Sequence, residues 1–181
     1  MISRIVPLFL ATVLSLAARS QQSSTGAALP SPEEFVNSID TTVIPKDVKH
    51  YYLVVGTDSC RFLKYNYDNW IQYHLKEPLS INILNELSEK VYLSRYPYLW
   101  QQPKLNKAVC VTRKEADSLL WKTKNVVFSF SLPQFTDDGQ YAVIDLNFVC
   151  GQRCGQGTTY VFRLTTSGDW KLVGTYVNWA S

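Results

Sequence analysis

Residues 126–173 read VVFSFSLPQFTDDGQYAVIDLNFVCGQRCGQGTTYVFRLTTSGDWKLV, and their alternation decides the fold. Val126, Phe128, Phe130 and Leu132 alternate with Val127, Ser129 and Ser131. Ala142, Ile144, Leu146, Phe148 and Cys150 alternate with Tyr141, Val143, Asp145, Asn147 and Val149. Tyr160, Phe162 and Leu164 interleave with Thr159, Val161 and Arg163, and Trp170 and Leu172 with Lys171 and Val173. A period of two with one apolar face is the pattern of a half-buried strand. Four strands in an antiparallel meander are therefore predicted.

The intervening residues set the register. Asp137-Asp138-Gly139 and Thr166-Ser167-Gly168 read as three-residue hairpin loops with Gly in the left-handed position. Those loops put Phe130 across from Leu146 and Leu164 across from Trp170. A slip of one residue would turn the apolar faces away from each other. In the middle hairpin, Cys150 opposite Cys154 sets Ile144 against Tyr160. Placing Cys150 opposite Thr158 keeps the same parity, and both registers remain open.

Upstream, the signals are helical. Ser31-Pro32-Glu33-Glu34 forms a capping box with Pro at the first helical position, and Phe35, Val36 and Ile39 make the apolar face. From Ser80, residues Ile81, Leu84, Leu87 and Val91 recur at three-to-four spacing up to Arg95-Tyr96-Pro97. Thr112 and Glu115 form a second capping box, opening a helix to about Trp121 with Ala116, Leu119 and Leu120 inward. His50–Val55 has strand chemistry, and residues 61–75 fit strand or helix equally. The predicted fold is α+β, with N-terminal helices packed on one face of a C-terminal four-stranded antiparallel meander.

The N-terminus reads as an address. Residues 1–20 combine Arg4, an apolar run from Ile5 to Ala18, and small residues at Ala18 and Ser20, which is the pattern of a secretory signal peptide. The run is too short for a membrane span, which needs roughly 20 residues. Residues 21–30 are polar and aperiodic, a flexible leader, and residues 31–181 form a single domain. The formal charge of +3 includes Arg4 and Arg19, so removal of the signal leaves 16 basic against 15 acidic residues. Such a balance excludes nucleic-acid binding through net charge, and no membrane association is expected after cleavage. The mature protein is expected to be secreted or periplasmic.

Export permits disulfides, and Cys150–Cys154 and Cys60–Cys110 are the favoured pairs. Zinc is the competing use of C-x3-C. Only His50 and His74 accompany the thiols, neither at ligand spacing, so no metal and no cofactor is expected.

Catalytic signatures are missing: there is no G-x-S-x-G elbow, P-loop, H-E-x-x-H or dinucleotide fingerprint. Asp137-Asp138 and Glu33-Glu34 are better explained by turn and helix-dipole chemistry. Asp145 differs, because alternation puts it on the non-core face with Tyr141, Asn147 and Arg163. Two readings fit that face: a semi-exposed sheet carrying one cross-strand ion pair, or a shallow binding surface. Trp170 and Trp121 are explained by burial. Tyr98 and Trp100, in the loop Tyr96–Trp100, are the candidate exposed aromatic contact.

The C-terminal block carries Cys150-Gly151, Cys154-Gly155-x-Gly157, Tyr160, Gly168-Asp169-Trp170-Lys171 and Trp179-Ala180-Ser181. In these features it resembles a family of exported bacterial proteins of Bacteroidetes-like type. The resemblance covers about 55 of the 181 residues. That family has no assigned activity, so the resemblance implies an exported bacterial origin and transfers no catalytic residue. The expected function is a non-enzymatic binding module for a protein, peptide or glycan. The alternatives are a small hydrolase using Asp145 and Arg163 with His50 or His74, and a disulfide-stapled inhibitor.

Overall fold

Helices form where the capping residues stand. The computed structural model of the chain describes residues 28–62, 75–94, 97–122, 125–151 and 153–181. Glu34 N–H donates to Ser31 Oγ at 3.3 Å and Ser31 N–H to the Glu34 carboxylate at 2.7 Å, opening α1 (Pro32–Val43). Ser80 caps α2 (Ile81–Leu93) by accepting from Ile83 N–H. The Thr112–Glu115 box opens α3 (Arg113–Lys122). None of these is long and apolar enough to cross a membrane.

The strands are β1 (Tyr51–Val54), β2 (Ala108–Val111), β3 (Val127–Phe130), β4 (Gln134–Phe135), β5 (Tyr141–Gly151), β6 (Cys154–Leu164) and β7 (Trp170–Ala180). They make one mixed seven-stranded sheet in the order β2-β1-β3-β5-β6-β7, with β4 also beside β5. This corrects the expected four-stranded antiparallel meander. β1 runs parallel to both β2 and β3. Parallel neighbours are joined by long crossovers, here carrying α2 and α3, so no turn residue announces them. Strands covered on both faces also read as plain apolar runs, such as Tyr51-Tyr52-Leu53-Val54, rather than as alternation.

The meander itself has the expected registers at three places. Phe130 faces Leu146, Leu164 faces Trp170 and Ile144 faces Tyr160. The last pairing settles the middle hairpin, although near the turn a bulge at Cys150 puts Gly151, not Cys150, opposite Cys154; Cys150 and Cys154 form a disulfide with Cα atoms 5.1 Å apart. The first hairpin departs from expectation near its turn. Thr136 N–H bonds to Tyr141 C=O, so four residues make the loop. Gln134 faces Val143, one residue out of step with Phe130–Leu146, and the interruption at Ser131–Pro133 absorbs the difference. Proline supplies no N–H to a ladder, which suits it to that break.

Alternation along the strands separates two faces, and both are covered. Phe35, Val36 and Ile39 of α1 cluster with Phe128, Phe130, Ala142, Ile144, Leu146 and Phe162. Phe35 sits edge-on to Phe135, Phe162 and Trp170, with centroids 5.1, 5.8 and 5.1 Å away. Leu84 and Leu87 of α2 cluster with the intervening residues Val143, Val161 and Val173. Ala116 of α3 joins Val54, Val111 and Val127. Side chains two apart share a face and neighbours oppose, so α1 lies on one side and α2 and α3 on the other. The helices do not share one face.

The second disulfide is not formed: Cys60 and Cys110 carry free thiols. Cys110 packs against the α1-side cluster and Cys60 against the α2-side cluster. The sheet lies between them, and a bridge needs Cα atoms within about 7 Å. The denatured, unreduced protein should therefore titrate two thiols per chain with a maleimide or Ellman-type reagent. A count of zero would restore the bridge. In the native state Cys60 should react slowly, because burial and then the Asp145 carboxylate push its thiol well above the ordinary range.

Candidate functional site

The face that the sequence marked as neither core nor surface is a buried polar network. β1 continues past Val54 as an extended segment whose Asp58 N–H bonds to Phe130 C=O at 2.9 Å. That continuation lays Asp58, Cys60 and Arg61 over β3 and β5. Asp145 is 0 % exposed. Its carboxylate accepts from Arg61 N–H at 2.6 Å, Thr159 Oγ1 at 2.6 Å, Cys60 Sγ at 3.4 Å and Asn178 Nδ2 at 3.5 Å. Burial raises its pKa, against the opposing pull of the Thr159, Arg61 and Cys60 hydrogen bonds. Beside it, Asp58 accepts from Ser129 Oγ and from Asn147 Nδ2 at 3.3 Å, and Arg113 stands 3.8 Å from its other oxygen. Asn147 in turn accepts from Trp179 Nε1 at 3.1 Å.

Trp179 explains two glycines. A Cβ on Gly157 would stand 2.1 Å from Trp179 Nε1 and 2.3 Å from Asn147 Oδ1. A Cβ on Gly155 would stand 2.8 Å from the Phe148 carbonyl and 2.9 Å from the Trp179 ring. The indole therefore lies directly on β6, and the glycines are there for clearance rather than for unusual dihedrals. The Cys-Gly-x-Gly run and the terminal Trp, distant in sequence, are one packing unit.

Several sequence-predicted site residues are placed differently. Arg163 pairs with Glu77 at 2.8 Å, not with Asp145, because it sits opposite Tyr141, four residues farther along the hairpin. Tyr141 is half-buried against the α2 cluster. The face is thus neither a semi-exposed sheet with an Asp145–Arg163 ion pair nor a shallow open surface around Asp145. Trp100 is only 3 % exposed and packs in the α1-side core, which removes it as an exposed contact. Tyr98 is half-buried, and its hydroxyl donates to the fully buried Glu33 at 2.8 Å, while Gln101 N–H donates to the same carboxylate at 2.9 Å. The loop is latched to α1. Tyr98→Phe should destabilise the protein by about 2 kcal/mol, the scale of a hydrogen bond to a charged group, measured by urea unfolding. A change near zero would mean that the latch carries no stability. Trp121, expected inward, is 65 % exposed at the end of α3.

An apolar concavity lies on the other face. α1 ends where Ile44 N–H closes on Asp40 C=O, and Pro45 follows. Beyond that end a cavity of about 360 Å³ opens between residues 43–50 and the sheet. Val43, Val48, Tyr51, Phe128, Leu146 and Phe148 form its apolar walls. His50, Asn125, Thr158 and Tyr160 contribute the polar groups, and burial raises the Tyr160 phenol. His50 is therefore on the α1 side, across the sheet from the Asp145 carboxylate. His74 lies outside the described residues. A smaller polar cavity of about 100 Å³ adjoins Asp58 and Cys60, lined also by Thr57, Ser94 and Gln134.

Sequence reasoning placed Leu146, Phe148 and Tyr160 in the core and missed that they line a space. Among the described residues no three His, Cys, Asp or Glu side chains are grouped as metal ligands. No family model, curated protein or solved structure matches the chain.

Proposed function

We propose that the protein is an exported, non-enzymatic binding module that holds a small apolar ligand in the cavity at the end of α1. The apolar cavity carries this reading. Its volume of about 360 Å³ falls in the roughly 300–1,000 Å³ range of small-molecule sites, and such sites are mostly apolar with a few placed polar groups. Apolar wall left facing water forgoes about 25 cal/mol per Å² that a ligand would recover. The polar network on the opposite face is less suited to binding, because its carboxylates are already taken up by neighbouring donors. The separation of His50 from Asp145 weighs against hydrolysis. The signal-like residues 1–20 and the Cys150–Cys154 bridge support export.

A neutral fluorescent probe, N-phenylnaphthylamine, tests the reading. It should bind the purified protein with one site per chain. Leu146→Trp, which projects an indole into the cavity, should weaken binding more than tenfold while changing stability by no more than about 1–3 kcal/mol. Probe binding that survives this substitution, or its absence from the parent protein, would refute the cavity as the site.

A further inference from the structure

We infer that the cavity's ligand is an amphiphile with one anionic head, of the class of a medium-chain monocarboxylate. This rests on the cavity being a small-molecule site. The walls are apolar and largely aromatic, so the body of the ligand is hydrocarbon. The head is argued from charge. Among the described residues no carboxylate lines the cavity, and its polar groups are hydroxyl, amide and imidazole, all able to donate a hydrogen bond. The segment between α1 and β1 is basic: its Pro45, Val48 and His50 line the cavity, and it exposes Lys46 and Lys49 against a single acid, Asp47. An anion seated against that segment meets the attraction of Lys46 and Lys49. A cationic head meets repulsion, and a neutral head gains hydrogen bonds but no charge attraction.

Chain and head can be separated experimentally. Decanoate, decanol and decylamine share a hydrocarbon body and differ in charge. Without recognition of the head, decanol should bind best, because a carboxylate gives up more hydration on leaving water. Recognition reverses that order. Isothermal titration of the full chain should give decanoate a Kd about fivefold lower than decanol, with decylamine weakest; exposed ion pairs of this kind contribute up to a few-fold each. The combined substitution Lys46→Gln and Lys49→Gln should abolish the preference and leave decanol unchanged, since both side chains are exposed and neither lines the cavity.

Decanol binding as tightly as decanoate, a preference untouched by the double substitution, or decylamine binding best would overturn the anionic head while leaving the cavity reading intact. Binding by none of the three would overturn both.

Discussion

Asp145→Ala should cost about 3–5 kcal/mol of folding stability, the scale of breaking a buried charged interaction, whereas Asp145→Asn should cost only about 1 kcal/mol. Alanine leaves Arg61 N–H, Thr159 Oγ1 and Asn178 Nδ2 without their shared acceptor inside a fully buried site. Asparagine can keep its oxygen on Arg61 N–H and turn its amide to Thr159. The Thr159 hydroxyl can then donate to Asn178 Oδ1, already 3.3 Å away. Urea unfolding of the two variants separates these outcomes, and equal losses would show that the carboxylate's charge, not its acceptor geometry, is what the site requires.

The same residue sets a pH dependence. Because burial raises the folded-state pKa of Asp145 above its ordinary value of 3.8, the folded protein holds this proton more tightly than the unfolded chain. Its contribution to stability is therefore complete below about pH 4 and is lost as pH rises through the folded pKa. Asp145→Asn has no such loss. Its stability relative to the parent should improve from acid to neutral pH. The opposite slope would mean that the hydrogen bonds outweigh desolvation.

Gly157→Ala is the second large effect, at about 2–3 kcal/mol, the cost of overpacking a filled site. The added methyl would overlap both the Trp179 ring and the Asn147 carboxamide, so the indole must lift from β6 and lose its bond to Asn147. In a Trp179→Ala background the penalty should fall to less than half, and the difference measures the coupling. An unchanged penalty would mean that Gly157 is needed for its backbone and not for the room it leaves.

Much of the architecture was legible because its cause is local. The two capping boxes, the Ser80 cap and the apolar residues Phe35, Val36, Ile39, Leu84 and Leu87 all stand where spacing put them. Two registers of the meander, Phe130–Leu146 and Leu164–Trp170, followed from matching apolar faces across short turns, and the middle one is one of the two that apolar matching left open. The parallel pairings of β1 were not legible, since their partners are about 57 and 75 residues away with no turn chemistry between them. Cys60 and Cys110 looked pairable only because sequence cannot say which side of a sheet a thiol faces.

The candidate site divides the same way. Alternation singled out Asp145 and Asn147 as polar groups on a strand's second face, and that face is where they lie. It could not reveal that the continuation of β1 would lie across them, burying Asp145 and half-burying Asn147, which turns a prospective surface into a packed network. The cavity left one trace, which is length. A 12-residue helix reaches about 18 Å, while an 11-residue strand runs about 36 Å, so α1 cannot cover all of β5 and β6.

Sequence alone determined helices α1, α2 and α3, the apolar-face pairings across the short turns and the two chemistries of the C-terminal strands, because each depends on residues a few positions apart. Only the tertiary structure decided what each face meets: on one side a polar network laid over by the continuation of β1, and on the other an apolar wall that α1 is too short to close. That difference depends on where distant elements stop, and no local pattern encodes it.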